Sequence, residues 1–240
     1  MNDVEEFAYC PMLRELKQTR RSVGRSGKTF ESLVALSSDN NLRTLRRLMC
    51  ELKPKRTLEV GLSFGGSGLV FTSSHRDNGN PPSRQHIAID PFQDSVWDDC
   101  GLVAIEKSDL AGYLDFRKAF SSIELPKLVS EESRFDLIYI DGSHLFEDVF
   151  IDAYYSMRLL ADGGVVTFDD SSNQHVRKVI RFLRTNCASG LQEIDLGLYR
   201  RDDGASLRYR TAKMLGRVQL TGFRRTGKVD RNWDSPYIRF

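Results

Sequence analysis

Apolar positions along the chain switch repeatedly between a helical and a strand period. Leu42, Leu45, Leu48, Met49 and Leu52 recur at helical spacing, with Ser38-Asp39-Asn40 as a cap in front and Pro54 as a stop behind. Thr57-Leu58-Glu59-Val60 is then a short apolar run around one acid. Gly61, Gly65, Gly66 and Gly68 follow, and Leu69, Val70 and Phe71 resume the apolar pattern. That order predicts a strand, a glycine turn and a helix running to about Ser74. His86 to Asp90 predicts a second strand, residues 101–112 a helix and 114–118 a third strand. Leu125-Pro126 lies near the start of another helix, and Phe135-Asp136-Leu137-Ile138-Tyr139-Ile140-Asp141 is the clearest strand in the chain. Phe146, Val149, Phe150, Ala153 and Met157 make the next helix amphipathic, and Gly163-Gly164 is placed to end it. Val165 to Phe168 predicts a fifth strand and Val176, Val179, Ile180 and Leu183 one more helix. Residues 191–213 predict two last strands joined at Asp202-Asp203-Gly204. At the front, residues 1–28 predict a polar arm, helical or loose, and Phe30, Leu33, Val34 and Leu36 a short helix. Residues 75–84 carry two prolines and predict a polar loop, with His75 a solvated residue in it.

Strands alternating with helices imply an α/β fold, a mostly parallel sheet with helices on both faces. Ligands in such folds bind beyond the carboxyl ends of the strands. Four predicted strand ends carry chemistry: the glycine turn, Asp90, Asp141 with His144, and Asp169-Asp170. They are expected to converge on one edge.

Composition narrows the function classes. The chain has 240 residues with 35 Lys+Arg against 33 Asp+Glu, a net charge of +2, so no polyanionic partner is implied globally. No apolar run approaches the ~20 residues of a membrane span, and MNDVEEF lacks the basic-then-apolar layout of a signal peptide. The four cysteines, Cys10, Cys50, Cys100 and Cys187, form no C-x-x-C, which favours free thiols in a reducing cytoplasm. Gly24-Arg25-Ser26-Gly27-Lys28-Thr29 is not a phosphate loop: Ser22 stands where its first glycine belongs and no apolar strand precedes it, so a basic turn is expected. Residues 217–240 mix arginines with Trp233, Tyr237 and Phe240. They read as a basic, solvated tail, with a lid, a dimer arm in a homo-oligomer, or a contact to acidic substrate as alternatives. The overall charge and the lack of any matching motif argue against nucleic acid.

The glycine spacing selects the ligand. A dinucleotide motif needs G-x-G-x-x-G, whereas here Ser63 occupies the second glycine position. Glu59, two residues before Gly61, suits a cationic ligand group such as the ammonium of an amino acid. Asp90 is placed to accept hydrogen bonds from ribose hydroxyls, or else to cap or to end its strand in solvent. Trp97 is placed either to fold over a ligand or to plug the core. His86 is expected to be structural and His175 at most substrate-facing.

LEVGLSFGGSG, HIAIDPFQ, FDLIYIDGSH and LLADGGVVTFDD, in this order and spacing, resemble class I S-adenosylmethionine-dependent methyltransferases, most closely the macrocin-type sugar O-methyltransferase group. The resemblance covers roughly residues 40–190. It implies a doubly wound, mostly parallel seven-stranded Rossmann-like sheet in a cofactor-binding domain, 54–216; composition alone gives the ends, an N-terminal helical extension over 1–53 as arm and cover and 217–240 as the tail. It implies cofactor contacts from Glu59, Gly61, Leu62, Ser63, Phe64, Gly65, Ser67, Asp90, Pro91 and Asp141, with Glu59 and Gly61 at the methionine end, Ser67 on its carboxylate and Asp90 on the ribose. It further implies a divalent ion, magnesium or similar, on Asp141, Asp169 and Asp170, and His144 as general base with Asp141 in the catalytic set. The expected activity is methyl transfer to a hydroxyl of a sugar or other small metabolite. The alternatives are a metal-independent N- or O-methyltransferase and a scaffold that binds cofactor without turnover. A sugar hydroxyl is a poor nucleophile, and a hard cation on carboxylate oxygens lowers its pKa. A neutral imidazole, ordinarily near pKa 6.5, then suits the proton transfer.

Overall fold

The structure, a computed structural model, describes residues 7–199, 211–212, 214–215 and 217–240. Two compact units divide the chain, Met1–Phe120 and Ser121–Phe240.

In the first unit, helix α1 (Pro11–Thr19) starts on a proline, whose fixed φ suits a first helical turn, and buries Leu13 and Leu16. The Gly24–Lys28 segment is indeed a turn, closing a two-stranded antiparallel hairpin of β1 (Ser22–Val23) and β2 (Thr29–Phe30). No helix follows it. Phe30 ends β2 and meets Phe64 edge-on at 5.4 Å, Leu36 packs against Gly66, and Val34 is left in solvent. The helical spacing of these apolar residues is therefore accidental, because each serves a different neighbour. Helix α2 (Asp39–Leu52) is capped as expected: the Ser38 hydroxyl accepts from the Asn41 amide at 3.3 Å, and Leu42, Leu45, Leu48 and Met49 are buried.

Strand β3 (Thr57–Val60), helix α3 (Gly66–Asp77), strand β4 (His86–Ile89), helix α4 (Cys100–Lys107) and strand β5 (Leu114–Arg117) complete the unit, with β3, β4 and β5 paired in parallel. Helix α3 runs one turn past the predicted end. It carries His75 into the interior, fully buried, where the sequence reading placed a solvated loop residue. A polar neighbour set accounts for the difference, since Thr57 and Asn80 satisfy both ring nitrogens.

The second unit runs through α5 (Ser121–Ser130), β6 (Phe135–Ile140), α6 (Phe146–Leu159), β7 (Leu160–Phe168), α7 (Gln174–Asn186), β8 (Leu191–Ile194) and β9 (Thr221–Arg225). Gly163-Gly164 does not end α6. The helix stops at Leu159 and the glycines lie inside β7, where the pairing jumps from Phe135↔Leu160 to Leu137↔Val165. A Cβ on Gly164 would come within 2.9 Å of the Ala161 carbonyl oxygen, so this irregularity requires glycine. The last strand lies beyond the predicted 191–213 window, and the Asp202-Asp203-Gly204 turn falls outside the described residues. Strand β9 comes instead from the stretch read as a basic tail, and it pairs antiparallel with both β7 and β8. Arg224 and Arg225 disguised it: their guanidinium groups donate to the carbonyls of Gly163 and Leu160 while Phe223 is buried. The end of the tail is also anchored, because Asn186 exchanges two hydrogen bonds with the backbone of Ile238.

The sheet has seven strands in the order β5-β4-β3-β6-β7-β9-β8, mostly parallel, which is the doubly wound arrangement expected. No helix among the described residues is long and apolar enough to cross a membrane.

Candidate active site

The glycine turn is built around Asp90. Its Oδ2 accepts from the backbone amides of Leu62 (3.1 Å) and Ser63 (2.9 Å) and from Gln93 Nε2 (3.0 Å), and its Oδ1 accepts from the Phe92 amide (2.8 Å). The carboxylate is buried and ties the end of β4 to the loop after β3. A carboxylate offers about four acceptor positions, two on each oxygen; three donors crowd Oδ2, and Oδ1, with one, keeps a position open. Asp90 thus organises the loop before any ribose is considered.

The loop itself is tight. Gly65 has φ +81°, and a Cβ there would lie 2.8 Å from Gly101 Cα. Its glycine therefore admits another part of the protein, the start of α4, rather than a ligand. Phe64 is buried between Phe30 and Trp97, the latter edge-on at 5.0 Å, so Trp97 plugs this face of the loop. Of the predicted cofactor residues, Gly61, Ser63, Pro91 and Asp141 are half-buried, while Glu59, Leu62, Phe64, Gly65, Ser67 and Asp90 are buried.

Three oxygens around this loop are buried with no hydrogen-bond partner among the described residues: Glu59 Oε2, Ser63 Oγ and Gln93 Oε1. Unpaired buried acceptors are costly, about 1–3 kcal/mol each. They fit a ligand that brings N–H and O–H donors, which an amino acid ammonium and ribose hydroxyls do. Gln93 was not singled out in the sequence. Its signal is a polar side chain three residues after the strand-end acid, spaced to turn back on it.

In the second unit, Asp141, His144 and Asp170 each present a ligand atom, all within 4.8 Å of one another. His144 Nε2 lies 2.8 Å from Asp170 Oδ2, and this hydrogen bond, outweighing partial burial, holds the imidazole above its ordinary pKa. Asp170 has φ +46°, a left-handed conformation that non-glycine residues hold only where surroundings impose it. Asp169, expected as a third metal acid, is not in this group. It is buried, its Oδ1 accepts from the Asp170 amide at 2.7 Å, and its Oδ2 accepts from the Tyr139 hydroxyl. The reason is geometric: β7 ends at Phe168, and the left-handed backbone at Asp170 turns its side chain away from that of Asp169. The Tyr139 oxygen also lies 2.9 Å from Asp141 Oδ2, so the hydroxyl stands between the two acids with one proton to give to either. It too was missed, although it sits two residues before Asp141 on the same strand face, a polar-tipped aromatic in an apolar strand.

His175 is exposed at the start of α7. Its Nδ1 accepts from the Phe146 amide at 3.1 Å and so caps the start of α6.

Residues 58–171 match the protein family described as "Methyltransferase domain". Among curated proteins, the chain is 28% identical over 153 residues to the probable caffeoyl-CoA O-methyltransferase 3 of Dictyostelium discoideum, covering 62% of this chain and 57% of that protein. The chain spans 57–63% of the length of the curated relatives it matches. Among solved structures, the O-methyltransferase TomG of Streptomyces achromogenes in complex with S-adenosylmethionine superposes with a TM-score of 0.61 at 15% identity, covering 95% of this chain and 92% of that one. An O-methyltransferase of Bacillus cereus in complex with S-adenosylhomocysteine gives 0.59 at 17% identity, covering 77% and 82%. At such identities these likenesses speak to the fold, and the family match speaks to the domain. Residues 58–171 therefore match a methyltransferase-domain family, within a fold shared with O-methyltransferases solved in complex with S-adenosylmethionine or S-adenosylhomocysteine.

Proposed function

We propose that the protein transfers a methyl group from S-adenosylmethionine to a hydroxyl oxygen of a small acceptor, a sugar or another small metabolite, with the help of a divalent ion. The observation that carries this reading is the meeting of Asp141, His144 and Asp170 at strand ends of a methyltransferase domain.

The donors fit a cation. Two carboxylates and an imidazole suit a divalent ion such as magnesium or manganese. Tyr139 draws the carboxylates of Asp141 and Asp169 together, and a cation offsets the repulsion between such like charges. When bound, such an ion lowers the pKa of a hydroxyl on it and orients that hydroxyl. Asp141 and Asp170 would hold it, and Asp169 would fix Asp170 from behind through the Asp170 amide.

His144, exposed on its ring, is placed to take the proton of the acceptor. The acceptor oxygen then forms its bond to the methyl carbon as the carbon–sulfur bond breaks, and the electron pair stays on sulfur. Asp170 stabilises the imidazolium so formed across the 2.8 Å contact. Alignment supplies the rest of the rate, since the carbon is already activated by the sulfonium.

The direct bond between His144 and Asp170 also favours a second reading, an acid–base pair that works without metal. Turnover measured with labelled S-adenosylmethionine and a panel of sugars and small hydroxyl compounds separates the two. The metal-assisted reading expects EDTA to abolish transfer and magnesium or manganese to restore it. Transfer indifferent to EDTA leaves the metal-free pair.

A further inference from the structure

A buried polar chain in the first unit ends on Glu59 and has no place in the reaction as derived so far. Asn80 Nδ2 lies 2.8 Å from His75 Nδ1, His75 Nε2 lies 2.8 Å from Thr57 Oγ1, Thr57 Oγ1 lies 2.9 Å from His86 Nδ1, and His86 Nε2 lies 2.9 Å from Glu59 Oε1. Thr57, Glu59, His75 and His86 are fully buried, and Asn80 is 7% exposed.

The sequence builds this chain by simple periodicity. Thr57 and Glu59 share one face of β3, and His86 stands opposite Thr57 in the parallel register with β4. Gly68, Phe71 and His75 lie on one face of α3 at helical spacing. Phe71 stacks on His86 at 4.6 Å, and a Cβ on Gly68 would come within 3.1 Å of Glu59 Oε1. The carboxylate thus sits beneath the first turn of α3, next to the glycine loop.

With His86 a neutral imidazole, the protons along the chain have one consistent placement. Asn80 Nδ2 also donates to the Pro54 carbonyl at 3.2 Å. A carbonyl only accepts, so the Asn80 atom at this position is its nitrogen, and its second hydrogen goes to His75 Nδ1. Burial pushes His75 down to about pKa 3, so the ring is neutral and its remaining hydrogen is on Nε2. Thr57 accepts that hydrogen and has one of its own to give, which goes to His86 Nδ1. His86 then donates from Nε2 to Glu59 Oε1. Every donor meets one acceptor, in one direction, and the series ends with Glu59 Oε2 still without a partner among the described residues.

We propose that Asn80, His75, Thr57 and His86 act in series as positioning residues for the cofactor, holding one oxygen of Glu59 so that the other is reserved for the ammonium of the cofactor's amino acid moiety. The inference rests on the methyltransferase reading above and adds to it residues remote from the ligand. A network serving only the fold would not end on an unpaired carboxylate oxygen, since a buried acceptor left open is costly.

The test compares two nucleosides on the full chain by calorimetry. S-adenosylhomocysteine carries the amino acid moiety, and 5′-methylthioadenosine shares its adenosine and sulfur but lacks that moiety. Thr57→Val removes the hydroxyl between the two histidines and keeps its shape. It is expected to weaken S-adenosylhomocysteine about tenfold, the effect of one hydrogen bond to a charged group, and to leave 5′-methylthioadenosine within twofold. His86→Gln, which retains an N–H aimed at Glu59, should keep more of the affinity for S-adenosylhomocysteine than His86→Leu. Equal losses for both nucleosides, or none, would overturn the inference. A wild-type chain that binds neither nucleoside overturns the methyltransferase reading itself. Nitrogen-15 spectra of the wild type provide a check independent of the stability of any variant: both imidazoles should show the Nε2–H tautomer, and an Nδ1–H tautomer at either histidine contradicts the series.

Discussion

Asp90→Ala is expected to weaken S-adenosylhomocysteine binding by more than tenfold, measured by calorimetry. The sequence alone supports such an effect through a lost ribose contact. The structure makes the larger contribution the loop itself. Removing the carboxylate strands the amides of Leu62, Ser63 and Phe92 and the side chain of Gln93. Each buried donor left unmatched costs about 1–3 kcal/mol, so the turn between β3 and α3 loses its shape before any ligand arrives. A ribose hydroxyl can reach Asp90 at Oδ1, which accepts only from the Phe92 amide, without displacing the three donors on Oδ2. An unchanged affinity in the variant would place both the ribose and the organising contact elsewhere.

His144→Ala is expected to lower turnover by roughly a hundredfold or more, the range of a lost general base. Its affinity for S-adenosylhomocysteine should stay within about twofold of wild type, because an interaction made only in the transition state leaves ground-state binding intact. The magnesium concentration that half-activates the enzyme should also stay in place. A large rise in that concentration would make His144 a ligand of the ion instead, a role its position among Asp141 and Asp170 would permit. Turnover equal to wild type would remove it from the reaction.

The sequence made the sheet legible because its strands are short and apolar, its helices amphipathic, and the two alternate. It failed where side chains answered to distant neighbours. Phe30, Leu33 and Leu36 looked helical but are divided among the hairpin, the core and the glycine turn. Strand β9 hid behind two arginines whose guanidinium groups bind backbone carbonyls and, for Arg225, the Asp162 carboxylate as well. At the site, the residue types were readable from strand ends, whereas their partners were not. Asp90 was visible as an acid after β4, but nothing local announced that four donors already hold it. Asp169 and Asp170 were visible as a pair, yet only strand geometry and Tyr139 separate their roles. Buried networks are the least legible of all: His75 sits in a polar sequence context, and what buries it comes from β3, α3 and the segment after α3.

The most direct measurement is a calorimetric titration of S-adenosylhomocysteine into the wild-type chain, with and without magnesium. The account predicts saturable binding of one nucleoside per chain in either case, since most nucleoside contacts come from the loop around Asp90 and Asp141 alone is expected to serve both nucleoside and ion. A chain that takes up no nucleoside at any magnesium concentration would contradict it.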